Sequence, residues 1–265
     1  MENHPGTFVV VDVSSGKILA SNNLHLAATT LQTPGSTLKP FVLMTLLDLR
    51  RVDPAQKLLC KHKLQIGSER LDCTHPISIS ELNADDAIAY SCNSYFAQVS
   101  IRLSSTELVQ AFRRAGFDSP SSLVDNDATG NIRTPSNPDQ IQLAALGDQG
   151  IEVTPLELLA AYRKLALRKR NGDVGKDAPV FDGLQHSVEY GMARASNVDD
   201  MNVAGKTGTA ASRNNPRTHG FFVGYAPAEK PEIAVVVFVQ QGRGMDAAAI
   251  AQSVFKEYAQ ESHTK

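Results

Sequence analysis

The sequence predicts an α+β fold: an antiparallel sheet formed by both chain termini with flanking helices, plus an all-helical lobe, with a functional cleft between the two. Three observations carry this reading. Two β-rich runs flank a turn near the start of the chain, a helix-length segment after Pro34-Gly35 is apolar on nearly every face, and three strand-like runs precede an Ala-rich helix at the end. The 265 residues, 42% hydrophobic and 20% charged, have the composition of a folded protein and suit one core with two lobes better than two independent domains. A single domain over residues 1–265 is expected, with a sheet lobe from about 1–30 and 196–265 and a mainly helical lobe from about 31–195.

In chain order, Thr7 to Val13 and Lys17 to Ser21 read as a hairpin around Ser14-Ser15-Gly16. The segment Ser36 to Leu49 reads as a buried helix. Pro40 lacks an N–H and is tolerated only near a helix start, which puts Ser36 at or beside the N-terminus. Ile79 to Gly116 is expected to form helices with short breaks, and Ser119 to Gln140, rich in Ser, Pro, Asn and Asp, a long loop. Thr154-Pro155 opens another helix, Leu156 to Leu167, which runs out in the polar stretch Arg168 to Asp177. Val203 to Ala210, Gly220 to Tyr225 and Ile233 to Gln240 read as strands, and about Met245 to Ala259 as the last helix.

Composition excludes several function classes. Net charge is only −2, and the one dense basic run, Arg163 to Arg170, ends a solvated helix without the interleaved aromatic residues that single-strand binding would want, so no nucleic-acid role is expected. The start of the chain has no basic region followed by a long apolar stretch, so neither a signal nor an anchor is expected in it. Only Cys60, Cys73 and Cys92 are present, and no Cys or His pair has metal-ligand spacing; no metal and no cofactor are expected.

Three groups of residues can carry chemistry. Ser36 and Lys39 stand three apart on a helix, so their side chains share a face. Burial lowers a lysine pKa and lets the neutral amine act as a general base, while a helix N-terminus favours negative charge developing at Ser36. Copies of Ser-x-x-Lys at Ser14 to Lys17 and Ser253 to Lys256 fall in a turn and deep in a helix, where ordinary structure accounts for them. Ser91-Cys92-Asn93 sets a hydroxyl and a carboxamide around a buried residue. Lys206-Thr207-Gly208-Thr209 follows Gly205 on a strand, where two glycines are best explained by close approach of another backbone or a ligand. Strict alternation would put Lys206 and Gly208 on one face of that strand and Thr207 and Thr209 on the other.

In this order, Ser36-x-x-Lys39, Ser91-x-Asn93 and Lys206-Thr207-Gly208 resemble the three signatures of penicillin-binding proteins and serine β-lactamases. The flanking residues Pro34 to Phe41, Ser91 to Phe96, Thr154 to Leu158 and Phe222 to Pro227 look like the transpeptidase domains of that family, and the likeness covers nearly the whole chain. The resemblance implies D,D-transpeptidase chemistry on peptidoglycan stem peptides ending in D-Ala-D-Ala, with β-lactam antibiotics as covalent inhibitors. It assigns Ser36 as nucleophile, Lys39 as base, Ser91 as proton relay and Lys206 as its electrostatic tuner. Asn93 would hold the donor peptide's amide, and Thr207 and Thr209, around Gly208, the terminal carboxylate. The backbone N–H groups of Ser36 and Thr209 would form the oxyanion hole.

A serine β-lactamase would need a further base to activate water, and no residue stands where the resemblance would want one. Glu81-Leu82-Asn83 matches part of one lactamase motif but precedes Ser91 where the family places it after. A D,D-carboxypeptidase shares the acyl-enzyme, and a β-lactam sensor would stay acylated and signal through an attached segment. The resemblance implies a periplasmic or extracellular location, with any membrane attachment through a segment absent from this chain. In such a compartment Cys60 and Cys73 either form a disulfide closing an excursion around Ile66-Gly67-Ser68 or stay as two buried thiols, and Cys92 stays unpaired in both cases.

Overall fold

The computed structural model describes residues 5–211 and 218–262. The chain opens with β1 (Gly6–Asp12) and β2 (Ile18–Asn22), then α1 (Leu24–Thr29), a 3-10 turn (Gly35–Leu38) and α2 (Lys39–Asp48). Next come β3 (Leu58–Leu59), β4 (Gln65–Ile66), β5 (Glu69–Arg70), β6 (Glu81–Leu82), α3 (Ala84–Ala89), α4 (Asn93–Ser100) and α5 (Ser105–Ala115). After β7 (Asn131–Ile132), α6 (Pro138–Ala145), β8 (Ile151–Glu152), α7 (Pro155–Arg170) and α8 (Ala178–Glu189), the chain ends in β9 (Ala204–Ala211), β10 (Thr218–Ala226), β11 (Ile233–Val239) and α9 (Gly244–Ser262).

Five strands form one antiparallel sheet in the order β2-β1-β11-β10-β9, with Gly6 opposite Val239 and Thr209 opposite Gly220. The predicted fold class is therefore the observed one. Period-2 alternation divides the sheet's side chains between two cores. Val235, Val237 and Val239 of β11 join Phe222 against Ala247, Ala248, Ala251 and Phe255 of α9, while Val236 and Phe238 join Phe221 and Val223 in the larger core that also holds Leu158 and Leu159 of α7. Each fully buried valine or phenylalanine contributes about 1.5–3 kcal/mol, so the sheet is fixed from both faces.

The helical part differs from the expectation: it is laced with three two-stranded ladders, β3 with β6, β4 with β5 and β7 with β8, the expected loop from Ser119 to Gln140 holds β7 and the start of α6, and α8 lies where no helix was expected. The residues from Ile79 to Asn83 accordingly pair and cap instead of beginning a helix, Asn83 accepting a hydrogen bond from Asp86 N at the start of α3. α7 starts as the sequence implied, with Pro155 in its first turn and a capping box of Thr154 and Glu157. Glu157 also accepts from Gly130 N, and burial pushes its carboxyl up to about 7.

Candidate active site

Ser36 sits in the 3-10 turn, half-exposed amid buried neighbours, and Lys39 N donates to Ser36 O as the chain passes into α2. In a 3-10 turn residues i and i+3 eclipse, which aligns Ser36 with Lys39. Contacts from distant elements brace the turn. Gly35 N donates to Gly147 O (2.9 Å), Tyr162 of α7 donates its phenol to Thr37 O (2.8 Å), and His219 Nε2 of β10 lies 2.7 Å from Thr33 O. On its open side the turn meets β9, the edge of the sheet. A Cβ on Gly35, whose φ is +57°, would stand 3.0 Å from Thr209 N, and one on Gly208 only 2.4 Å from Pro34 O. The glycine at 208 is thus explained by close backbone approach, as the sequence suggested.

Lys39 and Lys206 are both fully buried and meet at Ser91. Lys39 Nζ donates to Ser91 O (2.7 Å), Asn93 Oδ1 (2.6 Å) and Ser91 Oγ (3.3 Å), and Lys206 Nζ lies 2.8 Å from the same Ser91 Oγ. Burial pulls the Lys39 pKa down to about 8, with the nearby cysteines pulling the other way. Lys206 falls well below the ordinary lysine value through burial and then through the charge of Lys39. Both shifts favour the neutral amine, while the three acceptors around Lys39 suit an ammonium as long as it keeps its proton. Among the described residues Ser36 Oγ is not a partner of either lysine.

Ser91 owes its position to an unusual backbone. Its φ is +53°, and it ends α3 as a Schellman cap, with Ser91 N bonded to Ile88 O and Cys92 N to Ala87 O. Cys92 then caps α4, its sulfur accepting from Tyr95 N. Glycine normally fills such a left-handed position. We therefore expect Ser91→Gly to be more stable than Ser91→Ala by about 1 kcal/mol, although both lack the hydroxyl. Thermal denaturation of the two variants measures this, and an alanine variant of equal or greater stability would remove the strain.

The strand alternation foreseen for β9 holds. Lys206 points to Ser91, whereas Thr207 Oγ1 lies 3.5 Å from Met192 O and Thr209 Oγ1 accepts from Gly244 N at the start of α9. The two threonine hydroxyls are thus not gathered with Ser91, though Thr209 is exposed and its backbone adjoins the Ser36 turn. Asn93 is occupied at both ends, since its Nδ2 donates to Leu71 O (3.0 Å) and Asp72 O (3.5 Å).

The description that matches this chain is the penicillin binding protein transpeptidase domain, over residues 6–260. The chain belongs to the penicillin-binding protein transpeptidase family. It is 25% identical over 278 residues to the peptidoglycan D,D-transpeptidase MrdA of Acinetobacter baumannii, covering 84% of this chain and 41% of that protein. It is also 25% identical to the probable peptidoglycan D,D-transpeptidase PenA of Neisseria gonorrhoeae, over 95% of this chain and 50% of the other. The chain thus spans half or less of these curated relatives. In fold it resembles the transpeptidase domain of Burkholderia pseudomallei penicillin-binding protein 3 (TM-score 0.86, 19% identity, 98% of this chain and 89% of that one). It likewise resembles Pseudomonas aeruginosa PBP2 in complex with WCK 5153 (TM-score 0.84, 22% identity, 97% and 74%).

Beyond the family's three motifs, several groups at this site were not foreseen. Tyr162, His219 and Gly147 hold the turn that carries Ser36 from far along the chain, and no local pattern announces them. Although no Cys or His pair has ligand spacing in sequence, the fold gathers Cys60, Cys73, His75 and Cys92 so that their ligand atoms all lie within 4.8 Å of one another. The cysteines are free thiols, Cys60 and Cys73 with sulfurs 3.5 Å apart and unbridged. Among the described residues no helix is long and apolar enough to cross a membrane.

Proposed function

We propose that this domain is a penicillin-binding serine D,D-transpeptidase acting on peptidoglycan stem peptides that end in D-Ala-D-Ala. The observation that carries the reading is the meeting of two buried, pKa-lowered lysines on one serine hydroxyl beside a half-exposed serine on a helix-start turn. Ser36 Oγ attacks the carbonyl carbon of the penultimate D-Ala, and neutral Lys39 takes its proton. The backbone N–H groups of Ser36 and Thr209 receive the developing oxyanion. As the carbon–nitrogen bond breaks, Ser91 passes a proton to the departing D-Ala, with Lys206 setting the polarity of that hydroxyl. The acyl-enzyme then transfers to an amine of a second stem peptide.

Thr209, exposed at the strand edge, is the group nearest in kind to a carboxylate partner, and Thr207 supports the same strand from behind. Asn93 would hold the donor amide by giving up its contact with the Leu71 carbonyl. Among the described residues no carboxylate hydrogen-bonds Ser36, Lys39 or Ser91, which favours an acyl-enzyme that waits for an amine over one hydrolysed as in a β-lactamase. A single domain with its site between the sheet edge and the helices, on the periplasmic or extracellular side of the membrane, completes the reading.

The test is product analysis with a D-Ala-D-Ala stem peptide, with and without an amine acceptor. Released D-Ala matched by amide-linked product is the expected result. Released D-Ala with only the shortened, free acid, whatever the acceptor concentration, would make the domain a carboxypeptidase.

A further inference from the structure

The thiol and imidazole cluster lies directly behind the site, and its geometry is that of a ligand set. Cys60 lies just beyond β3, Cys73 and His75 follow the β4–β5 hairpin, and Cys92 is the middle residue of Ser91-Cys92-Asn93. Cys60 and Cys73 sulfurs are 3.5 Å apart, those of Cys73 and Cys92 3.8 Å, and Cys60 Sγ is 3.5 Å from His75 Nε2. Zinc bonds of about 2.3 Å to sulfur and about 2.0–2.1 Å to imidazole place tetrahedral neighbours about 3.8 Å apart for two sulfurs and about 3.5 Å for sulfur and nitrogen. These three separations fall on those values within a few tenths of an ångström, and all four ligand atoms lie within 4.8 Å of one another.

The surroundings are those of thiolates and a neutral imidazole. Each sulfur accepts one backbone N–H: Cys60 from His62 (3.3 Å), Cys73 from Ser94 (3.3 Å) and Cys92 from Tyr95 (3.4 Å). Such donors stabilise negative charge on sulfur. His75 Nδ1 lies 3.3 Å from Pro76 O, which assigns the ring proton to Nδ1 and leaves the Nε2 lone pair facing the sulfurs, the usual outer-shell arrangement of a metal-bound histidine. His75, Cys60 and Cys92 are buried, and Cys73 is half-buried.

We propose that Cys60, Cys73, His75 and Cys92 form a closed, structural zinc site that ties the Cys60–His75 excursion to the Ser91-Cys92-Asn93 corner. Three thiols each lose a proton to solvent on binding, and His75 enters neutral through Nε2. Four protein ligands leave no open position, so the ion organises the fold without joining the chemistry. Its effect reaches the site through the chain: Cys92 separates Ser91 from Asn93, and the excursion it anchors carries the Leu71 and Asp72 carbonyls that receive Asn93 Nδ2. Zinc also keeps the thiols from pairing in an oxidising compartment. The proposal rests on no part of the acyl-transfer reading.

The test uses the whole chain, purified without added metal and without chelator. Elemental analysis and native mass spectrometry should find about one zinc per chain, lost under denaturing conditions. Ser36→Ala should retain it, and Cys60→Ser and His75→Ala should not. Because those variants could fail to fold, the unaltered protein supplies an independent reading: its three thiols should react with a thiol reagent far more slowly before chelation than after, and cobalt exchange should give tetrahedral sulfur-to-metal charge-transfer bands. Unaltered protein that carries no zinc, with thiols that react equally fast with and without chelator, would overturn the proposal, as would a Cys60–Cys73 disulfide in the protein as isolated.

Discussion

Ser36→Ala is expected to lose the benzylpenicillin adduct completely. In the proposed chemistry the β-lactam carbonyl stands where the penultimate D-Ala carbonyl would, and the ring's carbon–nitrogen bond opens as the Ser36 oxygen adds. Alanine has no atom to form that bond, and neither Ser91, engaged by two lysines, nor any threonine of β9, whose hydroxyls face Met192 and Gly244, is available to replace it. Intact mass spectrometry should therefore fall from about one added drug mass per chain to none, as expected when a covalent nucleophile is removed. Ser14→Ala, in the turn after β1 where the same Ser-x-x-Lys spacing recurs, should keep the full adduct. An adduct that survives in Ser36→Ala and disappears in Ser14→Ala would place the nucleophile elsewhere.

Acylation should also depend steeply on pH, through Lys39. With its pKa drawn down to about 8 by burial, Lys39 is mostly ammonium at neutral pH and must lose a proton before it can take one from Ser36. The second-order rate constant for acylation should rise about tenfold per pH unit below that value and level off above it. Lys39→Met should slow acylation by about 10²–10⁴-fold, the usual contribution of a general base, and flatten the rise. Stopped-flow with a chromogenic cephalosporin measures both. A wild-type profile flat from about pH 6 to 9 would show that Lys39 is not the titrating base. The same depression bears on stability with a definite sign: between the folded value and the ordinary lysine value the unfolded chain holds more protons, so this group's contribution to stability rises with pH across that window.

What the sequence disclosed about this site was local. Ser36 and Lys39 are one turn apart, Ser91 and Asn93 flank a single residue, and Lys206 to Thr209 lie along one strand; the first two spacings recur by chance elsewhere, the order of the three carried the resemblance, and the alternation of β9 followed from period 2. What stayed hidden is what the fold assembles from afar. The ligand atoms of Cys60, Cys73, His75 and Cys92 converge from the end of a ladder, a hairpin exit and a helix cap, a spacing that no short motif encodes. Helix α8 was also missed, because Gly183 depresses its helix propensity and no side-chain cap marks its start. Gly183 is there for contact: a Cβ would come within 2.6 Å of Ile88 Cβ and 2.7 Å of Asp85 O, so a side chain would force α3 and α8 apart. The short ladders have too few residues to show alternation at all.

The order of strands in the sheet has a consequence for assembly. β1 lies between β2 and β11, strands from opposite ends of the chain, and such long-range pairings are slow to form compared with the local contacts of helices. Helices α2 to α8 can therefore gather Ser36, Lys39, Ser91 and Asn93 before β9 docks, but Lys206 and the Thr209 backbone arrive only with the strands that close the sheet. In the proposed chemistry Ser91 would thus lack its second lysine, and Ser36 the Thr209 backbone donor, until the last third of the chain is in register, so that completion of the fold and arming of the site would be a single event.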